Sequence, residues 1–383
     1  MEPIGVIEIW ASVIGRFWPV WIGLIGIMGA SFVMRRRLGL YGRLYDSGIG
    51  IVGFGIVLFW VLTAIFPDVI ATFDPIEQFA SLKRKPPGTV ETSTGIPAYF
   101  GGDNLGRDLF SRMVHGSTFV LTVAPAATLV AYMVGIALGL PAGYFGRKID
   151  VVLTFIANLV LAFPVILLFY LLVTPGVRET AIPNVMSGVF FAFPIIFFSM
   201  LFYSRYYARP QLLTIQMAAT LALGAWLYAG LVFNADPFGI VSLEPNELNI
   251  FAAVVFASSP GVFRIVRGLT MDIKTRDYVA AAQTRGESPW YIMLWEILPN
   301  ARGPLIVDAC LRIGYTTILL GTLGFFGLGL APESPDWGSM INQTRGFIRI
   351  APTIVLPQTI ALAMLVLGLN MLADGLREQS LKD

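Results

Sequence analysis

The sequence is short of the residues from which catalytic and metal centres are usually built. Among 383 residues His115 is the only histidine and Cys310 the only cysteine. One histidine excludes a two-histidine metal pair and leaves no Ser-His-Asp set to assemble. One cysteine excludes an intrachain disulfide, and within an apolar run Cys310 reads as a small packing residue. No GxxxxGK[ST] segment occurs, so the chain lacks the loop that cradles nucleotide phosphates and is not expected to be an enzyme or to hydrolyse ATP by itself. Charge is scarce as well: 13% of residues are charged, about half the share of an ordinary soluble domain. A net charge of +2, with basic residues scattered between apolar runs, argues against a nucleic-acid partner.

What the chain does have is hydrophobic sequence, 56% of it, in runs long enough to cross a hydrocarbon core of about 30 Å as helices. Nine spans are expected, near 12–34, 48–66, 118–140, 152–173, 186–203, 212–233, 249–266, 304–330 and 352–372. The fold class is therefore all-α, a polytopic transmembrane helical bundle whose surroundings are a lipid bilayer. The first run is followed by Arg35, Arg36 and Arg37 with no small-residue cleavage pattern before them, so it reads as a retained span. If those arginines are cytoplasmic, alternation puts sixteen of the 26 lysines and arginines inside and eight outside, with Arg16 and Arg312 in or near spans. The chain then starts outside and ends inside. Arg107 and Arg112 run against the rule, lying beside a span on the outer face.

The runs divide the chain into an N-terminal span with a basic cytoplasmic linker (1–47), a span with a long outer segment (48–117), two central spans (118–173), an inserted apolar hairpin (174–247) and three final spans with a cytoplasmic loop at 277–299 (248–383). GIGIVG, from Gly48 to Gly53, matches a dinucleotide fingerprint in letters only, since it lies in an apolar run with no strand before it. Close helix packing is its expected role, as for Gly135, Gly139 and Gly143, which stand four apart on one face. Gly321, Gly324, Gly327 and Gly329 could pack in the same way or loosen a gating helix. His115 reads as an interfacial polar residue at a span entrance. Asp308 and Arg312, four apart within a span, can pair with each other or serve a gating pathway. An ion-gradient-driven secondary transporter would need carboxylates or broken helices near mid-membrane, and Asp308 and Asn158 are the candidates for it.

Residues 277–300, DYVAAAQTRGESPWYIMLWEILPN, interrupt this pattern. Ala280, Ala281, Ala282 and Gln283 favour a helix, and Asp277 suits its positive end. Gly286 stops that helix; Ser288 as N-cap and Pro289 as first helical residue start a second one, expected to run through Ile297 and finish before Pro299. Arg264, Arg267, Lys274 and Arg276 place this pair on the cytoplasmic side. Such a short helix suits a groove on another protein or a position among lipid headgroups.

The same stretch resembles the EAA loop of ATP-binding-cassette importer permeases through Ala281, Ala282, Gly286, Ile297, Leu298, Pro299 and Asn300. GGDNLGRDLFSR, GLPAGYFGRKID, LAFP, FRIVRG, GFFGLGLAPESPDWGSM and LNMLADGLRE are similar to segments of the dipeptide/oligopeptide permease family, specifically its second subunit. The resemblance implies a type I ABC importer permease fold, here with extra spans, since members have about six of bilayer-crossing length. It implies that loop 277–299 couples to an ATPase through Tyr278, Ala280, Ala281, Ala282, Gly286, Ser288, Pro289, Ile297, Leu298 and Pro299. Ala280 stands where the family motif has glutamate. The implied partners are a second homologous permease subunit, two cytoplasmic ABC ATPase subunits that bind ATP and Mg, and a periplasmic or extracellular solute-binding protein. That protein would be received by segment 67–117 and the Ser334 to Met340 loop. The implied cargo is a peptide or peptide-like solute, and the implied location a bacterial or archaeal cytoplasmic membrane.

Overall fold

A computed structural model describes residues 3–178, 180–239, 245–328 and 333–380. In chain order its longer helices are α1 (Val6–Arg16), α2 (Trp18–Val33), α3 (Gly48–Ile65), α4 (Leu109–Phe145), α5 (Arg147–Ala162), α6 (Val165–Val173), α7 (Ile182–Tyr206), α8 (Pro210–Phe233) and α9 (Pro245–Ile273). After α10 (Asp277–Thr284) come three joined pieces, Pro289–Tyr291, Ile292–Ile297 and Leu298–Asn300, together α11, then α12 (Arg302–Phe325), α13 (Trp337–Thr344) and α14 (Leu356–Ser380). A two-residue hairpin, β1 (Thr89–Val90) and β2 (Pro97–Ala98), is the sheet among the described residues. Seven helices are long and apolar enough to span a membrane, and nine spans result if two bent pairs count as one each. Those pairs are α1 with α2, bent by 53°, and α5 with α6, bent by 74°. The second bend falls at Phe163-Pro164, where the residue before proline is extended. The chain thus folds as a helical membrane bundle, with neither bend legible as more than a continuous apolar run.

The chain forms two compact units, residues 1–125 with 307–383, and residues 126–306. In the first, α3 and α14 pack antiparallel through glycine. A Cβ at Gly53 would lie 2.7 Å from the Met371 carbonyl carbon, and one at Gly368 2.5 Å from an Ile56 methyl. GIGIVG therefore serves backbone approach, as its apolar context requires. Ser47 caps α3 by accepting from the Gly50 N–H, and its hydroxyl donates to Glu378 at 3.0 Å. Above them sits an aromatic cluster in which Trp60 and Trp337 meet edge-on at 5.1 Å and Phe17 stacks on Phe59 at 5.2 Å.

Segment 67–108 of this unit is locked by buried charge. Arg107 and Arg112 are 2% and 0% exposed. The Arg107 guanidinium donates to Asp103 at 2.7 Å and to Gln343 at 2.7 Å. Arg112 donates to the carbonyls of Pro75, Glu333 and Ser334 at 3.0, 3.0 and 2.9 Å. These two arginines are structural cations inside protein, which is why they do not act as topological charges. The Ser334 to Met340 stretch is not an open loop: Asp336 caps α13, accepting from Gly338 and Ser339, while Trp337 is fully buried and donates to the Met113 carbonyl at 2.8 Å. Gly321 and Gly324 pack tightly, Gly324 against Asp336 and Ser339, and Gly327 turns the chain at φ +71. Gly329 lies outside the described residues.

α4, which begins in the first unit and ends in the second, outruns its expected span at both ends. Its 37 residues are roughly 55 Å long at 1.5 Å rise per residue. The glycine stripe packs α4 on α9: a Cβ at Gly139 would sit 2.9 Å from Val266 and one at Gly143 2.7 Å from the Arg267 carbonyl. Helices α7 and α8 form an antiparallel hairpin in which Gly188 faces Tyr228 and Gly224 faces Ile195. Much of its outer surface, including Val189, Ile215 and Leu223, is exposed apolar surface of the kind lipid covers.

Candidate coupling site

The approach to the 277–300 loop is stapled by charge. Arg267 of α9 forms a two-pronged pair with Asp150 of α5, its Nη2 donating to Oδ2 at 2.6 Å. Lys274 donates to the Gly143 carbonyl at 2.7 Å and to that of Tyr144, so a cation closes the negative end of α4. The loop leaves α9 beyond this point. α10 starts at Asp277 and ends in a full Schellman turn: the Gly286 N–H donates to the Gln283 carbonyl at 2.9 Å and the Glu287 N–H to that of Ala282 at 3.2 Å. Gly286 has φ +79, and a Cβ there would meet nothing within 4 Å. The requirement for glycine is one of backbone conformation alone.

The second helix begins as its sequence dictates, with Ser288 Oγ accepting from the Tyr291 N–H at 3.2 Å and Pro289 as its first helical residue. It does not finish before Pro299. The helix continues to Asn300 through a wide π segment at Ile292–Ile297, and Ala301 closes it by donating to Ile297 and Leu298. Pro299 has no N–H to return to the carbonyl four residues back and its ring crowds that position, so an ordinary α ladder cannot pass it unchanged.

The ten residues expected to couple divide by burial. Ala282 and Ile297 are fully buried and, with Val279, Ile292, Met293 and Leu294, form an apolar root; Leu298 is half-buried. Tyr278, Ala280, Ala281, Gly286, Ser288, Pro289 and Pro299 are exposed. The expected residues thus present mostly small or flat side chains at the tip, beside the longer exposed side chains of Gln283 and Arg285, over a buried base. Arg285 and Glu296 pair at 3.0 Å and tie α10 to α11. Ala280 places no carboxylate at its own position, and the exposed acid of α10 is Asp277, one turn earlier; the Ala280 carbonyl accepts from Thr284 Oγ1 at 3.0 Å.

Contacts that local sequence does not disclose brace this tip from α7. Arg205 donates to the Tyr291 hydroxyl at 3.3 Å and lies 4.8 Å from the centre of the Trp295 ring, while Trp295 Nε1 donates to Ser204 Oγ at 3.1 Å. The hairpin inserted into the chain thus holds the second helix of the loop. The three polar residues singled out within spans lie elsewhere. Asn158 Oδ1 accepts from Arg264 at 2.7 Å, and Arg312 Nε donates to Asp308 at 2.6 Å within α12. They do not join the loop in one site.

Comparison with known proteins identifies the family. Residues 135–380 match the family described as binding-protein-dependent transport system inner membrane component. The chain is 28% identical over 338 residues to the dipeptide transport system permease protein DppC of Alkalihalophilus pseudofirmus, covering 88% of this chain and 87% of that one. It is 29% identical over 329 residues to DppC of Haemophilus influenzae, with 86% and 88% covered. The glutathione transport system permease protein GsiD of Pectobacterium atrosepticum is 29% identical over 280 residues, covering 73% and 71%. A helical membrane bundle that carries this loop and matches the family over most of its length is a permease: the chain belongs to the binding-protein-dependent transport system inner membrane components.

Proposed function

We propose that this permease is one of two membrane subunits of an ATP-driven importer of peptides or peptide-like solutes, and that the 277–300 tip seats in a cytoplasmic ATPase. Peptide cargo is supported by relatives named for dipeptide and glutathione transport. ATP and Mg belong to two ATPase subunits. A second homologous permease completes the pathway, a solute-binding protein delivers cargo to the outer face, and the setting is a bacterial or archaeal cytoplasmic membrane. The observation that carries the coupling role is the division of the loop into an apolar root and an exposed tip that mixes small side chains with polar ones. Such a tip lets another protein's surface come close at Ala280, Ala281 and Gly286, and the buried root carries its displacement into α9 and α12. Coupling requires that the ATPase hold the tip differently in its open and closed states.

The Asp308–Arg312 pair within α12 and the Asn158–Arg264 contact toward the cytoplasmic side are the places where a gate would change partners. An ion-gradient mechanism would need Asp308 to exchange Arg312 for the coupling ion. Transport by proteoliposomes lacking any ATPase would support that alternative. The direct test of the coupling role is substitution at Gly286. Gly286→Val forbids the left-handed turn, so ATP-linked uptake should fall at least tenfold while the protein still inserts. Gly286→Asn, which tolerates that conformation, should retain most uptake. Normal uptake by Gly286→Val would overturn the role.

A further inference from the structure

A groove of about 740 Å³ runs between α1, α2, α3 and α14 of the first unit. Its walls include Val13, Phe17, Leu24, Val52, Ile56 and Met364; of all its lining residues only Tyr99 and Thr353 carry a hydroxyl and none is charged. Pro87 and Phe100 of the 67–108 segment form one end. From Ile65, the end of α3 nearest that segment, to Val52 is roughly 20 Å at 1.5 Å per residue. The groove therefore follows about two thirds of a hydrocarbon core of about 30 Å, starting at one interface. A long, apolar, membrane-depth slot suits one hydrocarbon chain.

The rim supplies the second half of a ligand. Arg16 sits at the 53° bend between α1 and α2, one turn from Val13 and two from Ile9, both buried groove walls. It is half-buried and makes no hydrogen bond or ion pair with the described residues. Glu8, the acid of the same helix, is exposed and two turns away. Trp10 and Trp18, 55% and 56% exposed, mark the interfacial level on either side of the bend. An arginine at this depth needs an anion or water as partner, and a phospholipid phosphate lies at the same level.

We propose that this groove is a phospholipid site, with one acyl chain lying along α3 and α14 and the headgroup phosphate on Arg16. The site is independent of the coupling role, since no residue of 277–300 takes part. The test places the full-length chain, with and without its partner subunits, in vesicles of phosphatidylethanolamine and phosphatidylglycerol, the latter carrying a diazirine in one acyl chain. After irradiation, label should concentrate on peptides from 6–24, 52–60 and 353–364. Gly55 lines the groove, and a Cβ there would make only ordinary contact with Met28, at 3.8 and 3.9 Å, so the backbone accepts a side chain at this position and Gly55→Phe adds bulk to the slot. Gly55→Phe and Arg16→Gln should each lower groove label at least fivefold and leave label on the 182–233 hairpin unchanged. Equal label on groove and hairpin, or no loss in either variant, overturns the proposal. Loss in Gly55→Phe alone removes the headgroup contact and overturns it too. So does groove label that disappears when the partner subunits are present, because a partner helix then fills the slot.

Discussion

The 67–108 segment and the 277–300 loop both turn on glycine, yet they need it for different sets of reasons. In the first, glycine is demanded by space, and at Gly101 and Gly106 by positive φ as well: a Cβ at Gly101, Gly102 or Gly106 would strike the backbone of Pro86, Leu82 or Phe79. In the second, Gly286 has open space around it and is demanded by its φ of +79 alone. The polar groups differ in the same sense. Arg107, Arg112, Asp103 and Asp108 are all buried and held by partners within the protein, whereas the loop shows an exposed tip whose polar side chains, such as Gln283 on Tyr144 and Arg285 on Glu296, bond at the surface. A region satisfied from within is built to keep its shape. A region with a firm root and an exposed tip is built to be completed by another protein.

The comparison can be broken first where the charges are buried. Arg107→Leu leaves Asp103 as an unpaired buried carboxylate, and the permease should lose about 3–5 kcal/mol of stability, measured by thermal unfolding in detergent. Wild-type stability in that variant would mean the segment is not locked by its ion pairs.

Asp108 sharpens the same point. Burial pushes its carboxyl up to about 6, against hydrogen bonds from Ser111 and Thr72 and the Phe110 backbone that work the other way. Its Oδ1 is buried without a hydrogen-bond partner among the described residues. Because the folded protein holds this proton more tightly than the unfolded chain, the contribution is favourable in acid. It is lost as pH rises from the ordinary carboxylate range through about 6. Unfolding temperature should fall over that window, and Asp108→Asn should flatten the slope. A slope that is unchanged in the variant would contradict the assignment. Glu91, by contrast, is buried, which disfavours its charge, yet bonds from Ser93 and Thr94 hold its carboxyl below the ordinary range.

At the loop the effects should appear in transport and leave stability nearly intact. Gly286→Val should act as described above. A smaller loss should follow Arg205→Ala, which removes the cation over Trp295 and the bond to Tyr291. A cation–π contact is worth about 0.5–1 kcal/mol at an exposed site, so uptake should drop roughly two- to fivefold. Arg205→Lys should restore part of it. No change in uptake would show that the hairpin does not brace the coupling helix.

What could be read from the sequence follows from how local the physics is. Apolar runs of bilayer length announce helices, and glycines inside them announce close packing, as α3 on α14 and α4 on α9 display. Gly286, Ser288 and Pro289 each act through neighbours within a few residues, so the turn and cap were legible. Pro299 was not, because a π segment admits it without ending the helix. The burial of Arg107 and Arg112 is not legible locally: Asp103 stands four residues from Arg107, but Gln343, Glu333 and Ser334, which complete their enclosure, stand more than two hundred residues away in sequence. The contact of Arg205 with Trp295 was hidden for the same reason.

The central claim is that the 277–300 tip is cytoplasmic and covered by an ATPase. In a Cys310→Ala background, Glu287→Cys can be labelled with a maleimide that does not cross membranes. The account predicts labelling in inverted vesicles and not in intact cells, with protection when the ATPase subunits are bound. Labelling from outside intact cells, or labelling that bound ATPase leaves unchanged, would contradict it.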